Sequence, residues 1–173
     1  MVRAALASRH RIGQGPRTAA AYVPAMSVVA MALLARLPIV TALGWYPDFG
    51  FLALLAWRLL RADPFPAWWA APLGLANDLI VGTAIGYSIV LWTVVMLAMD
   101  IIDRRTMWRD YWIEWALAAL MIAVGETFEW SVAGIMGADL PFSSIGAPAL
   151  ISVLAFPLVA WVVSRVDRWR LGR

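Results

Sequence analysis

The sequence lacks cysteine altogether and has a single histidine, His10, among its 173 residues. Without cysteine the chain forms no disulfide, offers no thiolate to a metal and has no cysteine nucleophile. One histidine in the N-terminal tail argues against a zinc site and against serine-based hydrolysis, and no G-x-S-x-G motif is present. We therefore expect a protein that is not an enzyme and that holds no metal and no cofactor.

Charged residues are also scarce. They make up 14% of the chain, whereas hydrophobic residues make up 63%. A soluble domain has about 25% charged residues, and a disordered chain combines low hydrophobicity with high charge. The composition therefore excludes both classes and indicates a membrane protein.

All 14 basic residues are arginine, and the formal net charge is +3. The arginines fall in clusters that are separated by long apolar stretches. A nucleic-acid-binding protein collects its basic residues on one face or along one helix. We therefore expect no nucleic-acid partner.

Six apolar stretches are candidates for transmembrane helices, each of which needs about 20 mostly apolar residues. We predict an all-α fold, a polytopic membrane helix bundle that forms a single integral membrane domain over 1–173, with cytoplasmic tails at 1–18 and 165–173. The predicted spans are 20–43, 45–60, 65–84, 86–102, 112–135 and 147–164.

The second span is short, because its residues rise only about 24 Å, and a re-entrant segment is the alternative. The arginines favour a crossing. With six crossings and the N-terminus inside, 13 of the 14 arginines lie on the inner side and the outer loops have none. This is the positive-inside pattern, which predicts that both termini are cytoplasmic. A secretory signal over 1–35 would need a small-residue cleavage site before a soluble domain, which the sequence does not contain.

Four ionisable residues lie inside predicted spans at a similar depth. Counted from the cytoplasmic entrance, Arg36 lies about 24 Å into span one and Asp78 about 20 Å into span three. Glu126 and Glu129 lie about 21 Å and about 26 Å into span five. We expect a buried cluster in which Arg36 bridges Asp78 and one or both glutamates. Because charge within a membrane is costly, the cluster is either a polar clasp that fixes helix packing or a solute or proton site.

Small residues recur every four positions in span three, a spacing that lets helices approach closely. Asn77 adds an amide group that a partner helix can satisfy. We predict that one face of span three packs against a neighbouring helix, and this face consists of Gly74, Asn77, Asp78, Gly82 and Gly86.

Asp100 and Asp103 lie at the predicted cytoplasmic end of span four, among other charged residues. We interpret them as part of a solvated face. The alternative is a metal-dependent transferase, because paired carboxylates can hold Mg²⁺ against a pyrophosphate. Neither a further carboxylate run nor a Gly-rich phosphate loop accompanies them.

The block from Ala71 to Ser88 contains a pattern of glycine, leucine and aspartate, with Gly74-Leu75, Asp78-Leu79, Gly82 and Ile85-Gly86. This pattern resembles that of the rod shape-determining protein MreD family, which has Leu where this chain has Ile85. The chain length, the number of spans and the location of the termini are also similar to the family. Two shorter segments look like it as well, Pro47-Asp48 and Leu154-Ala155-Phe156-Pro157. Arg36 and the Glu126/Glu129 pair are not part of the family pattern.

The resemblance implies a non-enzymatic inner-membrane scaffold of the bacterial cell-elongation machinery, which regulates cell shape by helping to position lateral peptidoglycan synthesis. The partners it implies are a bitopic MreC-like protein, membrane lipids and, indirectly, the actin-like MreB and the transglycosylase and transpeptidase of wall synthesis. The family is similar in fold to the substrate-binding subunits of energy-coupling vitamin transporters. A small-solute or proton-coupled transporter subunit is therefore the alternative, since a shared fold does not decide function.

Overall fold

The structure is a computed structural model that describes residues 21–36, 46–60, 66–105 and 111–171. Every regular element within these ranges is a helix, which confirms the predicted all-α fold there. The α-helices are α1 (Val23–Ala32), α2 (Phe49–Leu60), α3 (Ala70–Val81), α4 (Tyr87–Arg105), α5 (Tyr111–Ile135) and α6 (Gly146–Leu171). Short 3-10 segments adjoin them at Leu33–Arg36, Ala67–Trp69 and Phe142–Ile145.

Each predicted span overlaps one of these helices, but some boundaries differ. α3 ends at Val81, before the predicted end at 84, because Gly82 adopts a left-handed conformation with a φ of 86°. α6 continues to Leu171, so most of the predicted tail at 165–173 is helical. The tail 1–18 and the segment 37–45 lie outside the described residues.

Two of the described helices are long and apolar enough to cross a membrane. They are α5, and α6 together with the 3-10 segment before it. Only 22% of the most apolar stretch of α5 and 17% of that of α6 is buried within the protein. Most of this apolar surface therefore faces outward, which supports membrane association because large exposed apolar surfaces are rare on soluble proteins.

The ends of α2, α4 and α6 lie together on one side of the bundle, which we call the inner end. Arg58, near the end of α2, pairs with Asp103, near the end of α4. Arg170, near the end of α6, lies 5.5 Å from the centre of the Trp57 ring in α2. The Trp57 indole also donates a hydrogen bond of 2.7 Å to the Ser27 hydroxyl, so the middle of α1 lies near the late part of α2, and Ala32 at the end of α1 lies against Gly50 near the start of α2.

The opposite side, which we call the outer end, brings together the ends of α3 and α5 and the starts of α2 and α4. The Asn77 amide, near the end of α3, contacts Asp48, which precedes α2. The ring of Phe128, in the second half of α5, stacks on Tyr87 at the start of α4. Successive helices therefore run in opposite directions.

The short helix α2 lies at the centre of the bundle. All residues from Gly50 to Leu59 are buried, and α2 packs against α1, α4, α5 and α6. Its 12 residues rise only about 18 Å. A helix enclosed by other helices does not need to match the thickness of a bilayer, because protein and not lipid surrounds most of its length.

Candidate functional site: polar clusters at the ends of the central helix

Asp78 is buried at the outer end, and both of its carboxylate oxygens accept hydrogen bonds. One oxygen accepts from the Thr83 hydroxyl at 2.8 Å and from the Ser88 backbone N–H at 2.9 Å. The other accepts from the Gly86 backbone N–H at 2.8 Å. Asp78 therefore joins the end of α3 to the start of α4, where free backbone N–H groups favour a negative charge.

Asn77 and Asp48 extend this network to the central helix. The Asn77 side-chain amide donates to an Asp48 carboxylate oxygen and to the Ser88 hydroxyl, each at 3.1 Å. The other Asp48 oxygen accepts from the Phe51 backbone N–H at 3.0 Å, which is the N-cap interaction for α2. We call Asp48, Asn77, Asp78 and Ser88 the outer polar cluster. It holds the starts of α2 and α4 against the end of α3.

The predicted packing face of span three is present at its first three positions. A Cβ atom on Gly74 would lie 2.7 Å from backbone atoms of Ser88 and Ile89, so only glycine lets α3 and α4 come this close. Asn77 and Asp78 are buried on the same face.

Gly82 and Gly86 do not belong to the packing face, and the structure corrects the prediction for them. Both lie beyond the end of α3, and a Cβ on either would meet nothing within 4 Å. Their φ angles are 86° and 101°, which side chains other than glycine rarely adopt. Glycine is needed there because it lets the chain turn from α3 into α4.

The structure corrects the prediction that Arg36 bridges Asp78 and the glutamates. Its guanidinium is exposed and donates to the Leu79 backbone carbonyl at 3.1 Å, and among the described residues it forms no ion pair. Asp78 already receives three donors from its own hairpin. The carbonyl groups in the last turn of α3 lack helical partners, so a cation is favourable there.

Glu126 and Glu129 lie on α5, and within the described residues neither forms a hydrogen bond or an ion pair with Arg36 or Asp78. The Ser152 hydroxyl on α6 donates weakly to Glu126, at 3.4 Å. Glu129 lines a cavity of about 130 Å³ together with Thr83, Tyr87 and Met136.

A second set of charges, which the sequence interpretation missed, lies at the inner end. Arg58 is only 4% exposed, and its guanidinium pairs with Asp100 and, at 2.7 Å, with Asp103. Asp167 and Arg170 of α6 form a further pair at 2.7 Å. We call Arg58, Asp100, Asp103, Asp167 and Arg170 the inner charge cluster. The Arg58 pairs join α2 to α4, and Arg170 joins α6 to α2 through the ring of Trp57.

The predicted solvated face at Asp100 and Asp103 is therefore partly wrong, because both carboxylates pair with a buried guanidinium. Two signals in the sequence pointed to this arrangement. The two aspartates are three residues apart, which places them on one face of a helix, and Arg58 interrupts an apolar run. In the described ranges no group of three or more metal-binding side chains is positioned to hold a metal ion.

Comparison with known proteins identifies no relative of this chain. No family model matches the chain, and neither a curated protein nor a solved structure matches it.

Proposed function

We propose that this protein is a six-span scaffold of the bacterial inner membrane that acts in cell elongation, as the resemblance to the MreD family implies. It binds an MreC-like bitopic protein through its membrane-facing helix surfaces and catalyses no reaction. Through that partner it helps to position the wall-synthesis transglycosylase and transpeptidase relative to MreB.

The observation that carries the proposal is the structure of the block that resembles the family. Gly74 permits close packing, Asp78 joins the two helices, and Gly82 and Gly86 form the turn. The three glycines and the aspartate of the pattern thus specify one helical hairpin, α3–α4. These four matches support a shared architecture more strongly than scattered matches do, because each of these residues meets a physical requirement of the hairpin.

The arrangement of polar groups also favours a scaffold. Among the described residues the buried carboxylates are those of Asp78 and Asp167, and both are held by donors from the same chain. Such pairing fixes helix positions, whereas a transport site needs polar groups that converge on an open space. Most of the surface of α5 and α6 is apolar and free to meet lipid or a partner helix.

Six crossings with both termini inside agree with the alternating helix directions and with the arginine distribution. Single-cysteine labelling tests this cleanly, since the chain has no cysteine of its own. Ala84 and Ser143 are exposed at the outer end, and Trp169 is exposed at the inner end. With an impermeant maleimide on intact spheroplasts, we expect labelling of Ala84→Cys and Ser143→Cys, and labelling of Trp169→Cys only after permeabilisation. Protection of Ala84→Cys with labelling of Ser143→Cys would leave only α5 and α6 as spans.

The functional test is depletion of the protein in its native host. We expect cells to lose their rod shape and widen, and the tagged protein to co-purify with an MreC-like protein in mild detergent. A tagged six-span protein of unrelated function is the control. Unchanged cell width together with no enrichment of wall-synthesis proteins would refute the proposal.

The cavity beside Glu129 is the one observation that favours the alternative of a transporter subunit. Glu129→Gln keeps the size of the side chain and removes its charge. We expect a scaffold to keep its function after this change. A cation or proton site should lose binding, because the negative charge is gone. Co-purification of ATP-binding transport subunits, together with loss of growth on the solute in Glu129→Gln cells, would favour transport.

A further inference from the structure

The cavity beside Glu129, of about 130 Å³, lies at the outer end between the α3–α4 turn and the second half of α5. Ligand pockets usually measure about 300 to 1,000 Å³, so this cavity is small for a solute and has the scale of a single side chain. The described residues that line it are Thr83, Ala84, Tyr87, Glu129, Val132, Ala133 and Met136. The walls are therefore mostly apolar, with one carboxylate among them.

The Glu129 carboxylate has no counter-charge within the described residues. Glu129 is exposed, and in the described ranges it forms neither a hydrogen bond nor an ion pair. It lies six residues before the end of α5 at Ile135, which is about 9 Å along the helix. In the proposed topology this is the depth of the outer leaflet, where a charge without a partner is costly.

The chain has little positive charge to offer at this end. Arg36 is the one arginine of the described residues in the outer half, and its guanidinium binds the Leu79 carbonyl. The residues 37–45, which connect α1 to α2 in the sequence, include no ionisable side chain. Every other basic residue lies on the cytoplasmic side in the proposed topology. The described carboxylates of the outer half are those of Asp48, Asp78, Glu126, Glu129 and Asp139. A counter-charge for Glu129 must therefore come from another molecule.

We propose that this cavity receives a lysine or arginine side chain from the outer half of a partner's transmembrane helix. The cationic group pairs with Glu129, and its apolar stem packs along Met136. Ala84 and Ala133 are small, which lets a partner helix approach closely. The Tyr87 ring offers a further favourable surface for a cation. The inference rests on the proposed function and deepens it, because it names the chemistry by which the bitopic partner is recognised.

The test uses the purified full-length protein in phosphatidylcholine vesicles and three model transmembrane peptides. Each peptide has about 20 leucine and alanine residues, and one position about 9 Å from its end is lysine, leucine or glutamate. Energy transfer from the tryptophans of the protein to a dansyl group on the peptide gives the affinity. We expect the lysine peptide to bind about tenfold more tightly than the leucine peptide, as for one charge-assisted hydrogen bond. Equal affinities of these two peptides would overturn the proposal.

Variants of the protein test the cavity itself, and only those that unfold at the wild-type detergent fraction are compared. Ala133→Phe fills the cavity and should abolish the preference for lysine. Ala116→Phe places the same ring at an exposed position in the first half of α5 and should keep the preference. Equal lysine preference in these two variants would also overturn the proposal.

Charge variants test the role of Glu129. Glu129→Gln should lower the affinity for the lysine peptide about tenfold, whereas Asp139→Asn, which removes an exposed carboxylate outside the cavity, should not. Glutamine still accepts a hydrogen bond, so binding is weakened but not lost, and Glu129→Gln cells can keep the scaffold function. Glu129→Lys should favour the glutamate peptide over the lysine peptide. An unchanged preference for lysine in Glu129→Lys would contradict the pairing.

Photocrosslinking in the native host identifies the partner. Benzoylphenylalanine is placed at Ile85, which follows Ala84 and is 76% exposed. We expect a cross-link to the transmembrane helix of an MreC-like protein, with a lysine or arginine in its outer half. A cross-link to such a helix in a protein outside wall synthesis, with unchanged cell width on depletion, would support the cavity and refute the scaffold. Widened cells together with equal binding of the lysine and leucine peptides would support the scaffold and overturn this assignment of the cavity.

Discussion

Replacing Arg58 with methionine is the sharpest test of the inner charge cluster. The side chain of Arg58 is 5% exposed, and those of its partners Asp100 and Asp103 are 31% and 16% exposed. Methionine keeps a long apolar side chain in the same space. The variant therefore removes the positive charge and leaves two partly buried carboxylates without it.

The expected cost follows from the burial of the three groups. Removing one partner of a buried ion pair destabilises a protein by about 3 to 5 kcal/mol, chiefly because the remaining charge stays buried. Asp100 is partly exposed and can recover some hydration, so we expect the lower end, about 3 kcal/mol. That loss corresponds to about two orders of magnitude in the folding equilibrium constant.

The assay is reversible unfolding in mixed micelles by titration with a denaturing detergent, followed by tryptophan fluorescence. Arg165→Met is the matched control, because Arg165 lies on α6 and is exposed. The triple variant Arg58→Met, Asp100→Asn, Asp103→Asn should recover much of the lost stability, since it leaves no buried charge from this group. The reasoning is refuted if Arg58→Met and Arg165→Met unfold at the same detergent fraction.

The same unfolding assay checks three predictions at the outer end. Gly74→Ala should cost about 1 to 3 kcal/mol because its Cβ would force α3 and α4 apart, whereas Gly134→Ala, which has open space around it, should cost nothing measurable. Asp78→Ala should cost about 2 kcal/mol through loss of a helix cap, and Asp78→Asn should cost less because an acceptor remains; equal costs would contradict the capping role. Gly82→Ala should cost about 1 kcal/mol because alanine is strained at a φ of 86°, and a stabilised variant would contradict this.

The approximate positions of the helices were predictable from the sequence, because each helix coincides with an apolar stretch and arginine clusters separate several of these stretches. α5 and α6 combine length with hydrophobicity, so their spans stand out at once. The end of α3 was harder to predict, because Gly82 can be either a helix residue at a close contact or a left-handed turn. Glycine spacing alone does not distinguish these roles. The backbone conformation of Gly82 depends on which groups donate hydrogen bonds to Asp78, and these are Thr83 and Ser88.

The charged residues were predicted less well, because depth along a span does not determine which side of a helix a residue faces. Arg36 and Asp78 lie at a similar depth, yet Arg36 binds the Leu79 carbonyl and Asp78 binds the start of α4. Each charge found a nearby backbone partner. Every helix end has free backbone groups that compete with side chains for such charges, and for Arg36 the backbone partner, the Leu79 carbonyl, lies on another helix, 43 residues further along the chain.

Arg58 shows the opposite case, in which counting arginines concealed a specific role. As one of many arginines on the inner side, it served as evidence for orientation alone. Its position in α2, the helix enclosed by the others, is what separates it from the exposed Arg165 and Arg168 on α6. An arginine on an enclosed helix cannot reach the headgroups without passing its neighbours, so those neighbours must supply its counter-charge. Asp100 and Asp103 do so, and the same ion pairs that satisfy Arg58 hold α4 against the central helix.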